Sequence, residues 1–176
     1  MKTLLKISFI LVFYVFSSCD LIEKADDVSF DTIVPVSFVV NETAVSPGGT
    51  FFTDTKNINV ASDAEVAKYA SKIKEFKVNK VTYTIFGANP TSVSFLNGNI
   101  KIAANGETVA SAGLISLANN NETQLTTETS GINELTAALL ADKQEQIQLQ
   151  GTLSSTPVSF TLTVKFYLTI TANALQ

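Results

Sequence analysis

A strict alternation of apolar and polar residues constrains the fold of this chain more than any other feature. Every second residue from 158 to 170 is apolar: Val158, Phe160, Leu162, Val164, Phe166, Leu168 and Ile170. Polar residues and Tyr167 fill the positions between them. Because a β-strand points successive side chains to opposite faces, the segment predicts a long strand with one buried and one wet face. Antiparallel sheets commonly have this arrangement.

Residues 28–40 alternate in the same way and predict a second long strand. Pro35 lies inside it. Since proline has no N–H group to donate to a neighbouring strand, we expect this strand at the edge of a sheet. Shorter strands are predicted within residues 50–60 and over residues 78–86, 110–117 and 146–153.

Turn residues predict two hairpins. Asn97-Gly98, inside residues 94–103, favours the positive φ angles of a type I′ turn and predicts a hairpin there. Residues 154–157, "SSTP", predict a turn that joins the strand at 146–153 to the long alternating strand. Asn105-Gly106 predicts a further turn.

Two segments have a helical period instead. Apolar residues recur at helical spacing in the first: Val66, Tyr69, Ile73 and Phe76. Ser62 and Glu65 form a capping-box pattern, so this helix is predicted over residues 62–76. A second short helix is predicted over residues 132–141, after a long polar loop at 118–131. The fold class predicted is all-β with two short helices: a two-layer antiparallel β-sandwich, immunoglobulin-like or jelly-roll-like.

The first 19 residues have the pattern of an export signal. Lys2 and Lys6 are followed by an apolar run over residues 7–16. A helix that spans a bilayer needs roughly 20 apolar residues, so this run is too short to span, but it has the length of a signal-peptide core. Ser17 and Ser18 supply small residues directly before Cys19, the one cysteine in the sequence.

The stretch "FSSC", residues 16–19, resembles the lipobox of bacterial lipoproteins of the Gram-negative envelope type. The resemblance implies signal cleavage between Ser18 and Cys19 and attachment of lipid to the Cys19 thiol. Phe16 occupies a position where that family usually has an aliphatic residue. The alternatives are an ordinary secretory signal in which Cys19 has no role, or a short buried segment.

The resemblance also implies that residues 1–18 are a signal peptide and that 19–27 are a lipidated cysteine with an acidic tether. The alternation that follows makes 28–176 the β-sandwich domain. The stretch from Asp20 to Asp27 is rich in acidic residues and resembles a signal that sends some lipoproteins to the outer face of the outer membrane. We expect a lipid-anchored protein of the outer membrane, with the membrane as its partner through the anchor.

The composition excludes several kinds of chemistry. The chain has no histidine, so it cannot build a Ser-His-Asp triad or a histidine-based zinc site. All 12 basic residues are lysine. Without Lys2 and Lys6, ten lysines stand against 16 acidic residues, a formal net charge of −6. Because nucleic-acid binding needs a basic surface, we expect no nucleic-acid partner. We also expect no catalytic residue, metal site or cofactor.

Candidate binding residues each have a competing structural explanation. Five lysines could attract an acidic ligand, although lysines commonly solvate a helix face: Lys68, Lys72, Lys74, Lys77 and Lys80. Residues 119–122, "NNNE", could bind sugar hydroxyls or calcium, although the spaced aspartates of a calcium loop are absent. Asp54 and Asp63 could form a carboxylate pair, although Asp63 is better explained by the positive end of a helix.

Two short stretches inside predicted strands are further candidates, one for a contact patch and one for a modification site. Phe51 and Phe52 are adjacent, so one of them is expected to point outward and mark a contact patch. Residues 31–33, "DTI", resemble a short O-glycosylation motif of exported proteins, but they lie in a predicted strand.

Together these patterns predict a lipid-anchored, non-catalytic binding or structural module of the cell envelope, with a glycan or an envelope protein as its partner. Two other functions stay open. A carboxylate-based hydrolase would require acidic residues that face each other across a cleft. A carrier of an apolar ligand would require a dry interior cavity.

Overall fold

A computed structural model describes residues 27–174 of the chain, which form nine strands and two α-helices. The strands are β1 (Asp27–Ser46), β2 (Thr50–Asn59), β3 (Ile73–Asn89), β4 (Ser94–Ile102), β5 (Thr108–Ser116), β6 (Thr123–Gln124), β7 (Thr126–Thr127), β8 (Gln144–Leu153) and β9 (Thr156–Asn173). The helices are α1 (Ala64–Lys68), which follows a 3₁₀ turn at Val60–Ser62, and α2 (Thr129–Asp142).

The strands form two antiparallel sheets. The four-stranded sheet has the order β1-β9-β3-β6, and the five-stranded sheet has the order β2-β8-β4-β5-β7. The pairing is nested: β1 pairs with β9, β2 with β8, β3 with β6, and β4 with β5. This is the winding of a jelly roll, in which a long antiparallel ribbon is rolled into two sheets. The predicted two-layer β-sandwich is confirmed in its jelly-roll form.

β9 is the long alternating segment, and it lies inside its sheet. β1 pairs with it from Asp27 opposite Asn173 to Ser46 opposite Thr156. β3 pairs with its other edge from Ile73 opposite Ala172 to Asn89 opposite Ser159. All seven apolar residues of the alternation are buried, and the residues between them are half-buried on the outer face. The prediction of one buried and one wet face is confirmed.

β1 is an edge strand, as Pro35 predicted. Pro35 lies opposite Lys165 of β9, on the outer face of the sheet. The inward positions of β1 contribute Val34, Val36, Phe38 and Val40 to the core.

The core lies between the two sheets and is built largely from aromatic and branched side chains. Phe95 is fully buried at its centre. The Phe95 ring makes edge contacts with Phe52 and Phe160, with ring centroids 6.3 and 6.5 Å away. Edge-to-face contacts of this kind are favourable because the positive ring edge meets the negative ring face.

The predicted hairpin at Asn97-Gly98 is wrong, because β4 runs through both residues. Asn97 does have a positive φ of 52°, but it serves a β-bulge. Three steps along β4, from Leu96 to Asn99, match two steps along β8, from Thr152 to Gln150. A positive φ is required in an Asn-Gly turn and is also found in β-bulges, so the same residue preference suits both. The turn at Asn105-Gly106 is confirmed, and Gly106 has a φ of 78°.

The second predicted hairpin is also wrong. β8 and β9 are consecutive in sequence but belong to different sheets. Residues 154–155 carry the chain from one layer to the other. Small polar residues permit a sheet crossing as readily as a turn, so the local signal could not tell the two apart.

The first helix is much shorter than predicted and begins at a different cap. Asp63, not Ser62, is the N-cap: its carboxylate accepts hydrogen bonds from the N–H groups of Glu65 and Val66, at 2.9 and 3.2 Å. The helix ends at Lys68. Ile73 and the residues after it join β3 instead, since β9 offers them partners along an antiparallel ladder.

The second helix, α2, agrees with the prediction but begins three residues earlier, inside the predicted loop, which also contains β6 and β7. A β-carbon on Gly131 would lie 2.0 Å from the carbonyl oxygen of Thr108, so the helix packs directly on the backbone of β5. Leu135 and Leu139 are fully buried beneath it.

The predicted signal peptide (1–18), Cys19 and the tether up to residue 26 lie outside the described residues. Within residues 27–174, neither helix has the length and apolar character needed to cross a membrane.

Candidate functional site

An open groove of about 630 Å³ lies on the outer face of the four-stranded sheet. It crosses β1, β9 and β3, and its lining residues are Asp31, Thr32, Ile33, Asn79, Lys80, Tyr167 and Leu168. Three neighbouring strands therefore bring outward residues together in one site, although these are far apart in the sequence: Asp31, Ile33, Lys80 and Tyr167.

A β-bulge in β3 shapes one side of this groove. Val78 lies opposite Leu168 and Lys80 lies opposite Tyr167, so Asn79 is an extra residue without a partner position on β9. Bulges re-aim side chains and are frequent beside functional sites. Here the bulge allows two consecutive residues, Asn79 and Lys80, to line the same groove.

A chain of hydrogen bonds holds the polar rim of the groove. The amide of Asn79 donates to the hydroxyl of Thr169 at 2.8 Å. That hydroxyl donates to the carboxylate of Asp31 at 2.6 Å. The rim thus links β3, β9 and β1, and among residues 27–174 no donor is bonded to the second carboxylate oxygen of Asp31.

The floor of the groove is aromatic and aliphatic. Ile33 lies directly opposite Tyr167 and is 50% exposed. The ammonium group of Lys80 sits 4.1 Å from the centre of the Tyr167 ring, a cation–π contact. An apolar surface is therefore flanked by a carboxylate, an amide and an ammonium group.

Glu122 holds Tyr167 from the other side. Its carboxylate accepts hydrogen bonds from the ammonium group of Lys165 at 2.7 Å and from the Thr82 hydroxyl at 2.9 Å. It also accepts a hydrogen bond from the Tyr167 hydroxyl. Pairing of β6 with β3 brings the loop that carries Glu122 to this position.

These contacts keep the Glu122 carboxylate ionised and keep the Lys165 ammonium group and the Tyr167 hydroxyl protonated. Hydrogen bonds from Lys165, then Tyr167 and Thr82, lower the pKa of Glu122 to about 2. The hydrogen bond to Glu122 raises the pKa of Lys165 and also that of Tyr167. Groups that transfer protons in catalysis have pKa values near the working pH. The pKa values of Glu122, Lys165 and Tyr167 are instead shifted away from neutral pH. We infer that this cluster holds the Tyr167 side chain in position.

The lysine cluster that the sequence suggested does not form one binding surface. Lys74 makes a 2.6 Å ion pair with Asp27, at the start of β1. Lys80 covers the Tyr167 ring, and Lys68 lies 5.0 Å from the centre of the Tyr69 ring. Of the five lysines, only Lys80 lines the groove.

The two candidate aspartates have separate local roles. Asp63 caps α1, as the alternative explanation held, and also accepts a hydrogen bond from Thr32 at 2.5 Å, which lowers the pKa of Asp63. Asp54 forms a 3.1 Å ion pair with Lys56.

The remaining sequence candidates also have clear places. Asn119, in the "NNNE" stretch, accepts a hydrogen bond from the N–H of Asn121 and donates one to Thr123, so it stabilises its own loop. Phe51 is 63% exposed while Phe52 is buried, which confirms that one of the two points outward. In the "DTI" stretch, the Thr32 hydroxyl is half-buried and bonded to Asp63.

A second, polar groove of about 470 Å³ lies beside the start of α2. Its lining includes Asn105, Glu107, Glu128 and Ser130. Neither groove was found from the sequence, since each combines residues that only sheet pairing brings together. Within residues 27–174, no three acidic, histidine or cysteine side chains are grouped to hold a metal ion.

No protein-family model and no curated protein matches the chain. Among solved structures, the decameric BFDV capsid protein is similar over 82% of this chain and 98% of its own, with 8% identity and a TM-score of 0.49. Desmodium yellow mottle tymovirus is similar over 85% and 89%, with 11% identity and a TM-score of 0.41. The jelly-roll assignment rests on the strand pairing described above and not on these similarities.

We predict that Glu122→Gln lowers the melting temperature at neutral pH and that its difference from the wild type disappears in acid. With a folded-state pKa of about 2 against an ordinary 4.5, Glu122 contributes stability above pH 4.5. That contribution is lost as the pH falls from 4.5 to 2. The measurement is the melting temperature of both proteins across this range, at low and high salt.

Glu42→Gln, at a half-buried position on β1 outside this cluster, is the control, and the difference between its melting temperature and that of the wild type should not disappear in acid in this way. A Glu122→Gln offset that stays constant down to pH 2 would show that the carboxylate is not paired in solution.

Proposed function

We propose that this chain is a lipid-anchored, non-catalytic binding module of the bacterial cell envelope, held in the outer membrane by lipid on Cys19. We further propose that its jelly-roll domain binds a glycan in the groove of Asp31, Asn79, Lys80 and Tyr167. The observation that carries the proposal is the groove itself, in which an apolar floor lies between polar groups that hydrogen bonds already hold in place.

The chemistry of the groove suits a sugar ring. A sugar has an apolar face of C–H groups and a rim of hydroxyls that both donate and accept. Ile33 and Tyr167 offer the apolar surface, Asp31 offers an acceptor, and Lys80 offers a donor. Pockets of this kind use a few well-placed polar groups for orientation. Because the rim is already ordered, binding costs less conformational entropy.

The electrostatics support binding over catalysis. In the Glu122 cluster beside the groove, the pKa values of Glu122, Lys165 and Tyr167 each move further from neutral pH, away from the range in which a group transfers protons. The hydrolase alternative has Glu107 and Glu128 in the polar groove beside α2. Both are exposed to water, whereas the acid of a glycosidase is shielded from it.

The carrier alternative lacks support from the core. Phe38, Phe95 and Phe166 are among the fully buried side chains that fill the space between the sheets. The groove described above is open to solvent on the outer face of a sheet, which suits a polar ligand better than an apolar one.

The geometry of the chain supports presentation close to a membrane. The residues from Cys19 to Asp27 can span at most about 26–29 Å when extended. The groove residues on β1 begin four residues after Asp27, about 13 Å along the strand. The anchor would therefore hold the groove within a few tens of ångströms of the headgroups.

Membrane-extracted protein should have a mass that corresponds to a chain starting at Cys19 with attached acyl groups. Cys19→Ala should release the protein from the membrane fraction, because one or more acyl chains supply the membrane affinity. Ser18→Ala, which keeps a small residue before the cysteine, is the matched control and should stay in the membrane. A native chain that begins elsewhere, or an unmodified Cys19, would refute the anchor.

Binding should be measured by calorimetry against a panel of neutral and acidic envelope oligosaccharides. We expect Asp31→Ala and Tyr167→Ala each to weaken binding of the recognised glycan at least about tenfold, since loss of a hydrogen bond to a charged group or of an aromatic contact costs on the order of 1.5 kcal/mol. Gln148→Ala, on the outer face of the other sheet, should leave affinity unchanged. Equal affinity in all three variants would place the site elsewhere.

A further inference from the structure

The end of the domain farthest from Asp27 is almost free of charge. We call this the distal end; it comprises residues 37–53, 84–97, 112–121 and 150–163, which are strand ends and the connections between them. Glu42 is the single Lys, Asp or Glu in these ranges. All other charged residues that the structure describes lie closer to the point where the chain enters β1. The domain is therefore polarised along its strands.

Large apolar side chains are exposed at the same end. Of the seven exposed large hydrophobic residues among those described, five belong to the distal end: Val39, Val45, Phe51, Phe86 and Leu114. Each is more than half exposed, and Val45 is 77% exposed. Scattered apolar residues are normal on a protein surface, but a group of them without charges between them marks an interaction site.

Four of these residues belong to two rows on opposite faces of the sandwich. The first apolar row crosses the outer face of the four-stranded sheet, where three residues lie directly opposite one another: Val39, Thr161 and Phe86. The second apolar row crosses the outer face of the five-stranded sheet in the same way: Phe51, Thr152, Leu96 and Leu114. Directly opposite residues in a sheet form a continuous contact surface.

The two rows lie at a similar level along the domain. Phe86 is three residues before the end of β3, and Leu96 is two residues after the start of β4. At about 3.3 Å per residue, these positions are roughly 10 and 7 Å from the ends of their strands. Both rows point sideways from the strands, in opposite directions.

We propose that copies of this protein associate side by side, with the first apolar row of one copy against the second apolar row of the next. The proposal rests on the lipid anchor of the proposed function in one respect: the anchor turns the same end of every copy toward the membrane. Two rows at one level on opposite faces then meet without any rotation of the molecules. This contact is heterologous and repeats into a row, which closes into a ring only if each copy is turned slightly relative to the last.

Charge favours a second copy as the occupant. The chain is acidic, with a formal charge of −6 once Lys2 and Lys6 are left out, so identical copies repel each other wherever their charges are close. The two rows lie where this repulsion is weakest. An unrelated partner would account for one row and leave the other exposed, whereas one type of contact between copies covers both.

Disulfide cross-linking in membranes tests the contact, since Cys19 is the only native cysteine. Phe86→Cys combined with Leu114→Cys should give an oxidant-dependent ladder of dimers, trimers and longer species. Each single variant and the parent chain should stay monomeric. A disulfide within one chain is excluded because the two positions lie on opposite faces of sheets packed about 10 Å apart.

A second pair, Val39→Cys with Phe51→Cys, keeps the test valid if the first pair fails to fold. Ser29→Cys with Asn57→Cys places cysteines on the same two faces at the charged end and should give no ladder. Dimers from either single variant, a cross-link to a protein of different mass, or no ladder from either distal pair would overturn the proposal.

The mass of the same extracted protein separates the two proposals. Lipid on Cys19 without a ladder would refute lateral association and leave the anchor intact. A ladder with an unmodified Cys19 would refute the anchor and leave the contact between copies in place.

Discussion

The pairing of β9 on both of its edges is the interaction on which the rest of this structure depends. Eighteen residues of one strand align β1 and β3 and contribute a continuous apolar face to the core. Each inward apolar side chain of β9 lies in the core between the two sheets. The same register decides which residues of β1 and β3 lie beside each outward side chain of β9. A shift of one residue would exchange the two faces, so the register is strongly specified.

The same register also determines which side chains lie next to one another on the outer face of this sheet. The groove, the Glu122 cluster and the first apolar row each include an outward residue of β9: Tyr167, Lys165 and Thr161. At the end near Asp27 the surface carries charges and fixed polar groups, which suit a hydroxyl-rich ligand. At the distal end it carries exposed apolar side chains and almost no charge, which suits contact between proteins. One strand register thus underlies both proposals.

Much of the fold followed from residue patterns. Alternation identified β9 and β1, and Pro35 identified the edge, because both signals depend only on the local backbone and on one buried face. Asn97-Gly98 and residues 154–157 misled the prediction, since their conformational preferences are met equally well by a bulge and by a crossing between sheets. Helical spacing at Ile73 and Phe76 was overridden when β9 offered these residues a strand partner.

The groove on the outer face of the four-stranded sheet could not be predicted from the sequence as the strands could. Asp31, Lys80 and Tyr167 are each unremarkable in the sequence, and only the register of three strands places them in one groove. The role of Glu122 was hidden for the same reason, because its partners come from β3 and β9. Lys80 was among the suggested lysines, but nothing local distinguished it from its neighbours on the same segment.

Residue-resolved hydrogen exchange tests the central role of β9 most directly. The backbone N–H groups of residues 160–170 should exchange slowest of those in the domain, at the rate of global unfolding, because both neighbours of this strand must separate before they open. The short strands β6 and β7 should exchange faster. Exchange of β9 at the rate of β6 and β7 would contradict the account.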